Sequence, residues 1–289
     1  MTVFSSSETE FFDTQGYVIL RDAVPPENCA AVVDAIWEFL EMNPADPDDW
    51  YRAPRGGGMV EMYHHPSMWA NRQYPRVYEA FAQLHNNPHL WVSQDRVGMK
   101  PPRHPDHPAH DHKGFTHWDL DTSQPLLPRL HLQGVLCLTD TDETMGGFQC
   151  VPGFHRDLDK WIAAQPEGRN PRAPDLNALP AGMKVTPIAA RAGDLIIWNN
   201  VLAHGNGHNT STRPRLAQYI GMNPTPPPGE GREKSRAWRL DIYQNRKCGL
   251  PKSADPNAGD PRNKEQETLP AELSQLGRKL LGVDDWDEE

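Results

Sequence analysis

The sequence predicts a mainly β domain with flanking helices. Its 289 residues include 29 Pro and 22 Gly, and 37% of the residues are hydrophobic. This composition is typical of many turns, long loops and short strands, and it differs from that of a helical bundle. A chain of this length can bury roughly 75% of its unfolded surface, which is enough for one large domain or two small ones.

The charge pattern excludes several classes of partner. The net charge is -10 at pH 7, and Lys and Arg are dispersed, so we expect no nucleic-acid partner. No run of about 18 apolar residues is present, and the N-terminus is polar and acidic, so we expect a cytoplasmic protein without a membrane partner. The four cysteines lack Cys-x-x-Cys spacing, which favours reduced, mostly buried thiols.

The N-terminal segment predicts a helix, a strand and a second helix. Ser7 is a candidate N-cap followed by acidic residues, Gly16 ends the helix, and the apolar run 17–20 is a candidate strand. Residues 29–42 follow two prolines, and their apolar residues recur at helical spacing. Residues 74–84 predict a further helix, and 89–99 predict a strand.

Residues 44–73 predict a long loop, because they mix Pro, Gly, aromatic and charged residues without periodicity. The loop is either a lid-like segment that contacts a substrate or an ordinary surface excursion. Its side chains are able to bind a polar or anionic molecule with an aromatic or aliphatic part. They are Trp50, Tyr51, Arg52, Arg55, Met59, Met62, Tyr63, His64 and His65.

Residues 101–113 contain four histidines among four prolines. A His-rich stretch can bind metal, but no repeating ligand pattern is present, so structural or supporting roles are favoured over direct ligation. These histidines are His104, His107, His110 and His112.

Residues 130–138 predict a strand with two different faces. One face carries leucines and seals a core, while the other is semi-polar. This pattern suits a strand that lines a cavity, although a half-exposed strand has the same pattern. The semi-polar face consists of His131, Gln133, Val135 and Cys137.

The C-terminal half predicts short strands and an extension. A strand over 148–151 precedes an insertion over 156–182, and strands over 195–198 and 215–222 pair across the loop that carries His204. From residue 224 the composition shifts to that of a linker, and one helix is predicted over 271–281. We therefore expect a domain over 1–225 and an extension over 226–289 that packs partly on it.

The segment His117-Trp118-Asp119, together with the distant His204, predicts a metal site. In an extended strand, residues i and i+2 point to the same side, so His117 and Asp119 can share one ion while Trp118 faces away. A second histidine completes a facial set of three ligands, which is diagnostic of Fe(II) oxygenases because three adjacent positions stay open. Alone, the His-x-Asp spacing is a weak signal.

Further features follow in a fixed order along the chain. They are Gly-Gly-x-x-x-x-Pro-Gly-x-His over 146–155, Gly193-Asp194, His-x-x-Gly-x-Asn-x-Ser over 204–211, and Arg215. With Gln94 and the segment Lys100-Pro101-Pro102, this set resembles the phytanoyl-CoA dioxygenase family of Fe(II)/2-oxoglutarate-dependent oxygenases over about residues 8 to 223.

The resemblance implies a double-stranded β-helix, the jelly-roll barrel that cupins share. It implies that His117, Asp119 and His204 bind Fe(II), and that Arg215 binds the distal carboxylate of the cosubstrate 2-oxoglutarate. An arginine supplies a planar, permanently charged fork for a carboxylate. Four further residues are candidate cofactor or substrate contacts, each with a structural hydrogen bond as the alternative. They are Lys100, Gln133, His131 and Gln94.

Two neighbouring residues are competing candidates. His208 lies four residues after His204, but it would place the arginine only seven residues further on, so His204 is preferred. Arg213 precedes Pro214, which holds it in a loop, so Arg215 is preferred as the carboxylate ligand.

The implied activity is oxidation of a small-molecule metabolite or natural-product intermediate by O2, with release of succinate and CO2. Related halogenases lack the metal-binding carboxylate, so Asp119 favours hydroxylation, desaturation or ring formation over chlorination. The alternative is a cupin-like metal-binding protein or a metalloenzyme that is not an oxygenase. Neither the substrate nor the oligomeric state follows from the sequence.

Overall fold

The computed structural model describes residues 2–52, 57–126, 130–250, 255 and 257–287. The strands in this part of the chain are β1 (Tyr17–Leu20), β2 (Met59–Val60), β3 (Leu90–Val92), β4 (Val97–Lys100), β5 (Leu132–Cys137), β6 (Phe148–Cys150), β7 (Thr186–Pro187), β8 (Leu195–Asn199), β9 (His204–Asn206), β10 (Arg215–Tyr219) and β11 (Met222–Pro224). The α-helices are α1 (Ser6–Gln15), α2 (Pro26–Leu40), α3 (Pro66–Arg72), α4 (Pro75–His85), α5 (Leu158–Ala163), α6 (Glu230–Gln244) and α7 (Gln275–Leu281).

The strands form one large and two small antiparallel sheets. The large sheet has the order β1-β8-β5-β10-β4-β2, the second has the order β7-β6-β9, and β11 pairs with β3. The mainly β architecture with flanking helices is therefore confirmed. None of the described helices has the length and apolar character needed to cross a membrane.

The two faces of the large sheet enter different hydrophobic clusters. Leu132 and Leu136 of β5 pack with residues of helices α2, α3 and α4. Val135 and Cys137 of the same strand instead pack with Phe148 and other residues of β6. The predicted alternation along this strand is confirmed, and the second face lies between the two larger sheets.

The first helix begins slightly earlier than predicted. Ser5, not Ser7, is the N-cap, because its side chain accepts a hydrogen bond from the Glu8 amide in a capping box. Gly16 ends the helix with φ 83°, as its position predicted. The second helix and the helix near residue 75 are confirmed, with shifts of three residues or fewer at their ends.

The single strand predicted over 89–99 is wrong, because two strands occupy this range. Residues 93–96 leave the sheet between β3 and β4. In this break the Ser93 amide donates to the Gly221 carbonyl at 2.7 Å, and the Arg72 guanidinium donates to the Asp95 carbonyl. These distant partners replace regular strand pairing.

The composition of residues 224–236 indicated a linker, but helix α6 begins at Glu230, so that interpretation is wrong from residue 230 onwards. The guanidinium of Arg239, on this helix, is buried and donates to the carbonyls of Val92, Leu280 and Leu281. The predicted helix over 271–281 is confirmed in its second half as α7.

Candidate metal centre

His117 and His204 are brought together by an isolated antiparallel bridge. The His117 amide donates to the His204 carbonyl at 2.8 Å, and the His204 amide donates back to the His117 carbonyl at 3.0 Å. Gly205 permits this approach, since a Cβ there would lie 2.0 Å from the Phe115 carbonyl oxygen. The backbone therefore fixes the two imidazoles side by side.

Asp119 completes a group of three candidate ligands. The potential ligand atoms of His117, Asp119 and His204 lie within 4.8 Å of one another. The Nε2 atom of His117 is 2.9 Å from one carboxylate oxygen of Asp119, and that of His204 is 3.5 Å from the other. This spacing suits a single cation between the three side chains.

The imidazole tautomers follow from the contacts of the Nδ1 atoms. Nδ1 of His204 lies 2.8 Å from the Leu202 carbonyl, and Nδ1 of His117 lies 3.1 Å from the His204 carbonyl. A carbonyl only accepts, so each Nδ1 carries a proton, while each Nε2 faces the Asp119 carboxylate and would offer its lone pair to a cation bound between the three side chains. Such contacts orient metal-binding histidines.

Trp118 faces away from this centre, as the i, i+2 spacing predicted. Its ring is buried beside Phe154 and Trp161, and its indole nitrogen donates to the Val201 carbonyl at 3.1 Å. Trp118 therefore holds the segment in place from behind.

The Asp119 carboxylate is held by a chain of donors. Gln133 donates its side-chain amide to this carboxylate, and the Trp198 indole donates to the Gln133 oxygen at 3.1 Å. Loss of water around Asp119 alone would raise its pKa, but hydrogen bonds from His117 and His204 hold the pKa of this carboxyl well below its usual range. The carboxylate thus stays ionised.

The three candidate ligands open into a cavity of about 870 Å³. A volume of this size accommodates a small organic molecule together with a cosubstrate. Its wall contains Gln133 and Val135, which lie on the semi-polar face of β5, and it also contains residues that the sequence did not single out. These are Asp95, Arg96, Phe115, Phe148, Arg172, Trp198, Gly205, Asn206, Tyr219, Leu250 and Asp255.

Arg215 and Lys100 lie opposite each other on β10 and β4. Arg215 is 2% exposed, and its Nε and Nη2 atoms have no hydrogen-bond partner among the described residues. Its Nη1 atom lies 4.0 Å from where a Cβ of Gly98 would be, so the glycine leaves room for the guanidinium. Burial and the neighbouring Arg215 lower the pKa of Lys100 to about 8.

Two of the predicted cofactor contacts lie elsewhere. His131 lines a separate cavity of about 450 Å³ with Leu130 and Asn200. Gln94 is buried, and its side-chain amide donates to the Arg239 carbonyl at 3.2 Å. The strand break described above turns Gln94 towards the extension, so neither residue is brought to the metal centre.

Residues 44–73, predicted as a long lid-like loop, contain strand β2 and helix α3, so that prediction is wrong for this part of the range, and the segment contributes little to the cavity. Among the described side chains singled out there, Met59 lines the cavity. Arg55 lies outside the described residues. Tyr51 instead stacks on His107 of the His-rich segment at 4.4 Å between ring centroids.

The competing candidates have other partners. His208 lies 2.5 Å from the Asp111 carboxylate, and Arg213 is exposed and contacts the Met145 sulfur. Asn209 bonds to the carbonyls of Lys100 and Arg213, and accepts from Ser211, so this part of the motif shapes the loop after β9.

Residues 12–217 match the sequence profile described as phytanoyl-CoA dioxygenase (PhyH). The chain belongs to this family. As a member it is a dioxygenase that uses iron and 2-oxoglutarate, so the predicted enzyme class and cofactors are confirmed.

A relative of the same family aligns with nearly the whole chain, and solved structures share its fold. A putative phytanoyl-CoA dioxygenase of Dictyostelium discoideum is 25% identical over an alignment that covers 95% of this chain and 86% of the relative. The structure of the epimerase SnoN in complex with Fe3+, alpha ketoglutarate and nogalamycin RO superposes with a TM-score of 0.55 at 17% sequence identity. The match covers 93% of this chain and 94% of the SnoN chain. GlcNAc Inducible Gene 2 of Candida albicans has a TM-score of 0.72 at 12% identity, over 100% of this chain and 78% of its own.

Proposed function

We propose that this dioxygenase oxidises a small-molecule metabolite or natural-product intermediate, by hydroxylation or a related oxidation, with release of succinate and CO2. His117, Asp119 and His204 bind the iron, and Arg215 with Lys100 binds the distal carboxylate of 2-oxoglutarate. The two larger sheets are the facing sheets of a double-stranded β-helix whose interior is the cavity.

The observation that carries the ligand assignment is the buried Arg215 guanidinium beside the cavity. Two of its nitrogen atoms lack partners among the described residues, and a buried polar group without a partner costs roughly 1–3 kcal/mol. A carboxylate can accept from both nitrogens of the fork at once. The donor set at the other site, two imidazoles and one carboxylate with an open side, likewise fits a non-haem iron.

The residues of the chain have distinct tasks in this reaction. Bound iron and 2-oxoglutarate together supply the activation of O2. Arg215 orients the cosubstrate by its far end, and Gln133 holds the Asp119 carboxylate in position. The apolar rings of Phe115, Phe148 and Trp198 in the cavity wall exclude water from the reacting atoms.

Gln94 and His131 have no part in this assignment, because their side chains lie away from the metal centre. Asp119 argues for oxygenation over chlorination, since its carboxylate would occupy the ligand position that a halide needs. A cupin-like zinc protein is the less favoured alternative. Structural zinc takes four protein ligands, whereas the group found among the described residues offers three.

The test is anaerobic addition of Fe(II) and 2-oxoglutarate to the purified protein, followed by visible spectroscopy. We expect a weak charge-transfer band, which Asp119→Ala abolishes. Aerobic incubation with a metabolite panel should then give succinate and a product with one added oxygen, measured by mass spectrometry. A folded protein that gives no band would favour the metal-binding alternative.

A further inference from the structure

The region around Arg215 differs from the cavity that the three candidate ligands line. Lys100 and Arg215 are register partners on β4 and β10, and Tyr219 lies four residues further along β10. A Cβ at Gly98 would lie 3.8 Å from the Tyr219 ring and 4.0 Å from the Arg215 guanidinium, so the two side chains are close neighbours on the same face. Tyr219 and Asp95 line the cavity, whereas Arg215 and Lys100 are not among its lining residues. With the distal carboxylate of 2-oxoglutarate on Arg215, the substrate is left with the lining around Tyr219 and Asp95, which we call the Tyr219 end.

Arg96 lies at the Tyr219 end, but its charge is already compensated. Its guanidinium is 2.7 Å from the Glu61 carboxylate and 2.9 Å from the Asp255 carboxylate. The side chains of these three residues are largely buried. Arg96 therefore offers no charge to an anionic substrate, although arginine in such a cavity would otherwise favour one.

Asp95, next to Arg96, has no such partner. One oxygen of its carboxylate accepts from the Arg96 amide at 2.7 Å, and the Arg72 guanidinium donates to the Asp95 carbonyl instead of the carboxylate. Within the described part of the chain, no cationic side chain forms an ion pair with Asp95. Burial raises the pKa of the Asp95 carboxyl above its usual range, and the attraction of the nearby Arg96 and Arg72 side chains does not offset this effect.

The surface near this carboxylate is partly apolar. Met59, Leu250 and the Tyr219 ring line the same cavity as Asp95. Arg172 also lines it, but Arg172 is solvent-exposed and donates to the Asp119 carbonyl at 3.2 Å. The substrate end thus offers one partly buried carboxylate beside apolar side chains.

We propose that the substrate carries a basic nitrogen, such as a primary amine or an amidine, that pairs with the Asp95 carboxylate, while its apolar carbon skeleton contacts Leu250 and Met59. This inference rests on the proposed function, since it assigns the region around Arg215 to 2-oxoglutarate. It names the chemical class of substrate for the same site.

The experiment uses matched probes on the full-length protein. Short- and medium-chain primary alkylamines, and alcohols and carboxylates with the same chains, are titrated into the anaerobic enzyme that holds Fe(II) and 2-oxoglutarate. The readouts are the shift of the visible band and the change in Tm. We expect the amines to give the largest response, and Asp95→Asn to weaken amine binding on the order of tenfold or more.

Two controls separate charge from structure. Asn at position 95 retains an oxygen that accepts from the Arg96 amide, so the fold and the 2-oxoglutarate band should persist. Asp106→Asn removes a carboxylate whose side chain is 85% exposed and should leave amine binding unchanged.

The possible failures are distinguishable. Absence of the band in the wild-type protein contradicts the proposed function itself. An intact band with no amine response, with a stronger response to the carboxylates or alcohols, or with equal amine binding by Asp95→Asn overturns the inference. Loss of the band in Asp95→Asn also overturns it, because Asp95 would then support the cosubstrate site.

Discussion

Arg215 illustrates how a single buried side chain can indicate a ligand. Its charge is permanent, its burial is nearly complete, and two of its donors have no partner in the described part of the chain. Folded proteins pair the great majority of buried polar atoms. The fold preorganises this guanidinium to bind a carboxylate, so the side chain does not have to rearrange before binding.

We expect Arg215→Gln to raise the Kd for 2-oxoglutarate on the order of a hundredfold, because a charge-assisted double hydrogen bond is lost. Anaerobic titration of the visible band measures this Kd. Metal affinity should stay the same, since Arg215 does not touch the three ligands. Arg213→Gln, in the exposed loop just before β10, is the matched control and should behave like wild type.

Lys100 predicts a pH dependence of cosubstrate binding. Its pKa is lowered to about 8, so the ammonium is charged below that pH and neutral above it. The Kd for 2-oxoglutarate should therefore rise between about pH 7 and about pH 9, by up to about tenfold if one charge-assisted bond is lost. Lys100→Met should bind weakly throughout and show a flat profile. Exposed Lys184, changed to Met, should keep the wild-type profile.

At the level of elements, the metal centre depends on the close approach of β9 to the segment before His117. The bridge between His117 and His204 exists because residue 205 has no side chain. A glycine at this position is needed for backbone proximity, not for a left-handed conformation.

Gly205→Ala tests this dependence. The added Cβ would meet the Phe115 carbonyl at 2.0 Å, so the two segments must separate, at a cost of roughly 1–3 kcal/mol in the free energy of unfolding. Because His204 moves with β9, iron affinity should fall as well. Chemical denaturation and Fe(II) titration measure the two effects. Gly231→Ala, in α6 with no atom within 4 Å, should not lower stability or affinity.

Sequence patterns predicted those elements whose signals are local. The alternation along β5 placed Gln133 and Val135 correctly on the cavity side, because strand geometry alone sets that pattern. Helix α6 was missed because its buried arginines have partners that are distant in sequence. Arg232 donates to the Asp285 carboxylate, and Arg239 donates to the Val92 carbonyl. For the same reason, the sequence did not predict the orientation of Gln94, whose hydrogen-bond partner is on α6. It also did not predict that Asp95 and Leu250 line the cavity, because tertiary packing brings them there.

For the molecule as a whole, the extension is best regarded as part of the oxygenase domain. Tyr243, Ala271, Leu280 and Leu281 belong to the same hydrophobic cluster as the helices that cover the large sheet. The Glu265 carboxylate accepts from the backbone amides of two residues that follow β2, at 2.7 Å each. Leu250 and Asp255 then line the cavity itself. The composition of the sequence changes near residue 225, but the packing of the structure continues across this boundary.

Because the extension packs into the core of the domain, a large-to-small substitution that leaves a void in the extension should destabilise the entire protein. Leu280 is 0% exposed, so Leu280→Ala should lower the free energy of unfolding by about 2–5 kcal/mol and preserve a single transition. Leu269→Ala, where the leucine is 85% exposed, should change it by about 0.5 kcal/mol or less. Tryptophan fluorescence and loss of the iron–2-oxoglutarate band, followed together in denaturant, should give coincident curves. A separate early transition that leaves the band intact would show that the extension unfolds independently, and residues 226–289 would then be an appended unit.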